Sequence, residues 1–371
     1  MDTVNRPGPD SGPGPDSNAR FAFEFDGRAG EITSMVIVNA LLTILTLGIY
    51  RFWARTRVRR YLWGHMRLLG DRLEYTGTGK ELFFGFLIVF FVVLVPLVLA
   101  NMAAEFFLAP VYPAAYWLFI ACLYLFVLFL IGVAQYRAQR YRLSRTNWRG
   151  IRGALPGSSV SYGLAFLGFS LLLPFTLGWT YPWQRMTLMR MMMNETCFGD
   201  RKFSFDGRVG PLMGAYAMTW LAMIALWIAV VGVVILGATV AAFVLNTATT
   251  PSFWQIAIVS VFVLVPASPL AMAWYRAREF NYMATCTSYE GLRLTYNATF
   301  GSLFWLGFGN LLIVLFTLGM GLPYAQLRNF RYFCQRLSAG GQVDFEAIRQ
   351  SAALRPGVGE GLADAFDGGT V

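Results

Sequence analysis

Seven stretches of this 371-residue chain contain no Asp, Glu, Lys, Arg or His: 32–50, 82–100, 115–134, 160–180, 211–245, 255–274 and 301–321. Each is near or above the roughly 20 residues that a helix needs to cross the hydrocarbon core of a bilayer. Only 13% of the residues are charged, against about 25% in a typical soluble domain, and the stretches account for the deficit. The chain therefore reads as an all-α polytopic membrane protein.

The basic residues lie between the stretches. Connection 51–81 carries eight Lys or Arg, 135–159 carries six and 181–210 carries five, while 101–114 and 246–254 carry none. The positive-inside rule places those two loops outside and all other connections, with both termini, in the cytoplasm. Stretches 32–50, 160–180 and 301–321 have basic flanks on both sides, so each dips into the membrane and returns or lies buried against the bundle at the cytoplasmic side. The spans are then two hairpins, 82–100 with 115–134 and 211–245 with 255–274. The net charge of +10 raises nucleic acid as a partner. The basic residues stand where membrane orientation already demands them, so the partners are membrane lipids and not nucleic acid. No protein partner is assigned.

The three dipping stretches share a motif. Each ends in Thr-Leu-Gly, at Thr46, Thr176 and Thr317. An aromatic follows seven residues after the Thr (Trp53, Trp183, Tyr324) and an arginine fourteen residues after it (Arg60, Arg190, Arg331). Short alternating runs come next: Leu73–Gly77, Phe203–Gly207 and a weaker Val343–Phe345, with a related Phe23–Gly27 near the start. These predict short cytoplasmic β-strands. A second box, Tyr136-Arg137-Ala138, corresponds to Tyr275-Arg276-Ala277. The expected organisation is a disordered tail (1–19), membrane repeat one (20–160), membrane repeat two (161–300), a third Thr-Leu-Gly half-repeat (301–348) and a C-terminal tail (349–371). The two repeats, each a re-entrant segment plus a transmembrane hairpin, are parallel. They are expected to be related by a pseudo-two-fold axis along the membrane normal.

The Thr-Leu-Gly-x-x-x-x-Trp-x-Arg pattern and the Tyr-Arg-Ala box resemble the YjgN family of bacterial inner-membrane proteins, a domain of unknown function, over roughly residues 20–348. Gln326 departs from the pattern where the first two copies have Arg55 and Arg185. The resemblance implies the bacterial inner membrane and supplies no substrate or catalytic residue.

The residues offer no catalytic constellation. A single His65 builds neither a multi-histidine metal site nor a triad, and Cys122, Cys197, Cys286 and Cys334 lie far apart. The chain is read as a non-enzyme with no cofactor and no metal. The polar groups expected at membrane depth are Asn39, Asn310, Thr46, Thr176 and Thr317, a candidate solute site. Arg55, Arg59, Arg60, Arg185, Arg190, Arg328 and Arg331 are candidates for binding anionic headgroups. Symmetry and intramembrane amides point to a conduit or transporter for a small solute or lipid. The alternative is a non-transporting scaffold or lipid-organising protein with a basic cytoplasmic face.

Overall fold

The structure, a computed structural model, describes residues 20–244, 272–345 and 347–350, with isolated positions between 252 and 268. Most of loop 246–254, most of span 255–274 and the terminal tails beyond 20–350 lie outside the described residues.

Helices form over the described charge-free stretches and also over the charged segments 51–64, 181–193, 273–285 and 322–336. In chain order they are α1 (Ala29–Leu45), α2 (Arg51–Gly64), α3 (Gly79–Phe107, with a π-helical turn at Phe90–Leu94), α4 (Pro113–Ser144) and α5 (Ser159–Phe175). They continue as α6 (Tyr181–Met193), α7 (Gly210–Val244), α8 (Ala273–Thr285), α9 (Phe300–Phe316) and α10 (Leu322–Arg336). Three of them, α3, α4 and α7, are long and apolar enough to cross a membrane.

The short helix pairs α1/α2, α5/α6 and α9/α10 are joined by the Thr-Leu-Gly motif, and its chemistry explains the turn. Leu47 and Gly48 both have positive φ (50° and 90°), as do Leu177 with Gly178 and Leu318 with Gly319. The Gly48 N–H reaches back to the Thr43 carbonyl at 2.7 Å, the six-to-one bond that ends a helix in a left-handed turn. The Thr46 hydroxyl donates to the Leu42 carbonyl at 2.7 Å and accepts the Tyr50 N–H at 2.9 Å. Thr176 and Thr317 repeat both bonds. Leucine in a left-handed turn is strained. Leu47 and Leu318 are at least 90% exposed, so each sets an apolar tip on the turn.

The ten strands correct the all-α reading. β1 (Arg20–Phe25), β2 (Met66–Leu68), β3 (Asp71–Tyr75), β4 (Thr146–Trp148) and β5 (Ile151–Ala154) join β6 (Cys197–Phe198), β7 (Arg201–Phe205), β8 (Thr287–Tyr289), β9 (Leu292–Tyr296) and β10 (Leu337–Gly340). They are not isolated cytoplasmic strands but one closed antiparallel barrel, β1-β10-β9-β8-β7-β6-β5-β4-β3-β2. Four hairpins are closed by two-residue loops, for instance Leu69-Gly70, Arg149-Gly150 and Glu290-Gly291, with φ positive at both positions. That geometry suits the twist of paired strands. The fifth hairpin is made by the chain's two ends, with Arg20 opposite Gly340 and Ala22 opposite Ser338. Val343–Phe345, expected as a strand, lies outside the barrel wall. All helices attach at one rim and all hairpin turns lie at the other, because each helix pair leaves and re-enters the ring between two hairpins.

The units are tied at the helix rim. Backbone N–H groups of Asp26, Thr76, Asp206 and Asn297 donate to the carbonyls of His65, Arg145, Cys286 and Arg336, each at a helix end of the next unit. The fifth equivalent position is Pro156, which has no N–H to give. Five units in a closed ring cannot be exchanged by a two-fold axis along the barrel, so this expectation is replaced by a five-unit ring.

Candidate functional site

Alternation along the strands gives the barrel two faces of opposite chemistry. Its outer wall is charged. Arg67 and Arg72 pair with Asp26 at 2.8 and 2.9 Å, Arg149 with Asp71 at 2.5 Å, and Lys202 with Glu195 at 3.2 Å. A transmembrane β-barrel has the reverse pattern, with an apolar outer band and strands of about 9–11 residues. Strands of two to six residues with a charged exterior do not fit that pattern.

The inner face encloses a cavity of about 350 Å³ lined by residues of all ten strands, among them Phe21, Phe23, Trp148, Phe203, Tyr289 and Leu294. Among the described residues, no lining residue carries a charge. Gln139 and Leu143 of α4 and Met193 of α6 close the helix rim. The hydroxyls of Thr146, Thr196 and Thr287 are spent on helix carbonyls four residues earlier, at 2.8 to 2.9 Å. At the turn rim the segment after β10 acts as a stopper. Ile348 is buried against Tyr289 and Leu292, with Val343 and Phe345 beside it. The Arg152 N–H donates to Gln350 Oε1 at 3.1 Å, and the Arg349 N–H donates to Asp200 Oδ1 at 3.1 Å. Gly199 has φ +63° and lies so close to Ile348 and the Arg349 carbonyl that a Cβ there would collide with both. An apolar cavity of about 150 Å³ already stays dry and accepts benzene, so the lumen suits an apolar molecule. Burial raises the thiol pKa of Cys197, which lines the lumen, with Lys202 lowering it and Glu195 raising it to lesser degrees.

The residues selected from sequence lie elsewhere. Asn39 is buried and its Oδ1 accepts from Arg57 Nη1 at 3.4 Å, across the α1/α2 pair. Asn310 Nδ2 donates to Asn329 Oδ1 at 2.7 Å, across α9/α10. In α5/α6, Gln184 Nε2 donates to Ser170 at 3.2 Å. Each short helix pair thus carries its own polar clasp. Neither the lumen nor the second cavity, about 420 Å³ beside Arg276, Phe280 and Leu303, is lined by Asn39 or Asn310. Thr46, Thr176 and Thr317 form the turns described above.

Most of the selected arginines hold the protein together. Arg60, Arg190 and Arg331 donate to the carbonyls of Gly77, Gly207 and Gly27 at 3.3, 2.6 and 2.8 Å. Arg140 and Asn281 make the same contact with Gly157 and Ala298. Sequence reasoning missed these two. The signal was a constant separation of 17 residues between donor and acceptor in four units. In that register Tyr136 is level with Ala277, two residues from the Tyr275 that the box matching gave it. Arg185 and Arg276 both grip Glu279, which is fully buried, at 3.2 and 3.0 Å. Arg59 Nη1 reaches Tyr75 Oη at 3.5 Å and Arg328 Nη2 reaches the Trp305 carbonyl at 3.5 Å. Arg55 is likewise engaged.

A charged exterior, an apolar lumen and a skirt of apolar helices define a membrane-rooted barrel protein with a ligand-sized internal cavity. The chain belongs to the bacterial family described as "Bacterial protein of unknown function (DUF898)", whose profile matches residues 20–365. It is 39% identical to the inner membrane protein YjgN of Salmonella typhimurium over 84 residues, 23% of this chain and 21% of that relative. It is 37% identical to inner membrane protein YjgN of Escherichia coli K12 over 83 residues, 22% and 21% of the two chains. The chain thus aligns with about a fifth of the length of these curated relatives. No solved structure matches it.

Proposed function

We propose that this membrane protein holds an apolar molecule, drawn from the bacterial inner membrane, in the lumen of its barrel at the cytoplasmic surface. The observation that carries this reading is the reversal of polarity across the barrel wall. Ten short strands turn charges outward and build an uncharged cavity of about 350 Å³, rooted on helices long and apolar enough to span a membrane. The cytoplasmic placement follows from the charge count of the connections. The stopper at the turn rim supports holding over a pore. So does the pairing of Asn39 and Asn310 within separate helix pairs, and the internal engagement of the arginines supports it over headgroup organisation.

The test uses Cys197 as the sole thiol, with Cys122→Ser, Cys286→Ser and Cys334→Ala, in lipid nanodiscs. N-ethylmaleimide, small and neutral, is expected to modify Cys197, and a charged methanethiosulfonate to fail. Decane dissolved in the nanodisc lipid is expected to slow the maleimide reaction. Equal reaction with both reagents, and no protection, would reject the reading.

A further inference from the structure

Residues 209–275 carry no Asp, Glu, Lys, Arg or His. Arg276, in the first turn of α8, is the charge that ends this longest apolar run of the chain. Beside it the Arg278 guanidinium covers the Trp274 ring at 4.2 Å. Tryptophan and arginine at the end of an apolar segment mark the boundary between membrane and water. At that level a cavity of about 420 Å³ opens between α8 and α9. Among the described residues it is lined by Ser268, Met272, Ala273, Arg276, Phe280 and Leu303. One cation therefore stands in a cavity whose other side chains are mostly apolar.

The charges around Arg276 do not balance. Arg185 Nε and Arg276 Nη1 each take one oxygen of the Glu279 carboxylate, at 3.2 and 3.0 Å, and Glu279 is fully buried. Two positive charges against one negative leave one positive charge uncompensated. Neither arginine has a second carboxylate partner among the described residues. Arg60, Arg190 and Arg331 spend donors on backbone carbonyls. Arg276 donates to Glu279 alone and its side chain stays 35% exposed, so its fork keeps further N–H groups to offer. Uncompensated charge in apolar surroundings is costly, and a guanidinium fork matches the oxygens of a phosphate. We propose that this cavity binds a glycerophospholipid of the surrounding leaflet, with its phosphate on Arg276 and its acyl chains leaving past Met272, Phe280 and Leu303. The cavity has roughly three times the volume that accepts benzene, which suits a phosphoglycerol group while the chains continue into the bilayer. The site is separate from the lumen, which Arg276 does not line.

Native mass spectrometry of the delipidated full-length protein in mild detergent tests the site. Phosphatidylglycerol and diacylglycerol with the same acyl chains differ by the phosphoglycerol group. The first phosphatidylglycerol is expected to bind at about tenfold lower concentration than diacylglycerol, equivalent to about 1.4 kcal/mol. Arg276→Gln removes the surplus charge and leaves Arg185 and Glu279 as a one-to-one pair. Leu303→Trp fills the cavity and leaves all three charges in place. Each substitution is expected to bring phosphatidylglycerol to the level of diacylglycerol. Equal binding of the two lipids by the unaltered protein would overturn the proposal without any variant. So would a preference for phosphatidylglycerol that survives either substitution in folded protein. Displacement of the lipid by millimolar inorganic phosphate would assign Arg276 to a soluble anion and overturn the lipid as its ligand.

Discussion

Ile348→Ala isolates the stopper from the rest of the fold. Ile348 is 7% exposed and packs on Tyr289 and Leu292. The change removes three carbons, and at about 0.8 kcal/mol per buried CH₂ it weakens docking of the segment by about 2.4 kcal/mol. At about 1.4 kcal/mol per factor of ten, the open population rises roughly 50-fold. The loss is local, because β10 and the barrel wall end before Val343, so the melting temperature is expected to move little. The assay is the rate at which a charged methanethiosulfonate modifies Cys197 as the sole thiol. If the segment governs access through the turn rim, the rate rises by the same factor as the open population. An unchanged rate in a protein that melts normally would refute the stopper.

Three further outcomes test the packing. Arg190→Leu leaves the Gly207 carbonyl without its charged donor, now at 2.6 Å; hydrogen bonds to charged groups contribute about 1.5–3 kcal/mol, so thermal unfolding in detergent is expected to fall, and restoration by Arg190→Asn, the solution Asn281 already uses, would show that the contact and not the charge matters. Glu279→Ala strands Arg185 and Arg276 against one another, and breaking a buried pair typically costs about 3–5 kcal/mol; poor expression rescued by Arg185→Met is expected, and normal stability would mean that the cluster is well hydrated. Because burial raises the Cys197 pKa, less thiolate is present at any pH below it, so the maleimide rate should reach half its plateau at a higher pH than for an ordinary exposed thiol; a midpoint at or below the ordinary value would place Cys197 outside the lumen.

Sequence patterning reached the helices and their tips because those depend on local chemistry. Charge-free stretches mark α1, α3, α4, α5, α7 and α9, and Thr-Leu-Gly marks a turn whose hydrogen bonds stay within eight residues, Leu42 to Tyr50 in the first copy. The barrel was not legible. Alternating runs marked β1, β3 and β7, but other strands are as short as Cys197–Phe198, too short for alternation to register. Its closure pairs Arg20 with Gly340, a contact between the two ends of the chain. The same split hides the fifth unit, since Arg331 binds the carbonyl of Gly27 rather than of a residue after it. Amides at membrane depth drew attention as a solute site, yet Asn39 and Asn310 bond within their own helix pairs. The lumen residues gave no individual signal, because Phe, Leu and Trp in short strands read as core. They define a cavity only once ten strands close around a ring too wide for their side chains to fill.

Filling that ring tests the central claim most directly. Ala339 is buried in β10 and lines the lumen, so Ala339→Phe places a large side chain where the ligand is proposed to sit. Native mass spectrometry of protein extracted from bacterial membranes in mild detergent is the measurement. The account predicts that the wild-type chain retains a neutral lipid-soluble adduct and that the equally folded Ala339→Phe protein does not. Wild-type protein without an adduct, or an adduct kept equally by the filled barrel, would contradict it.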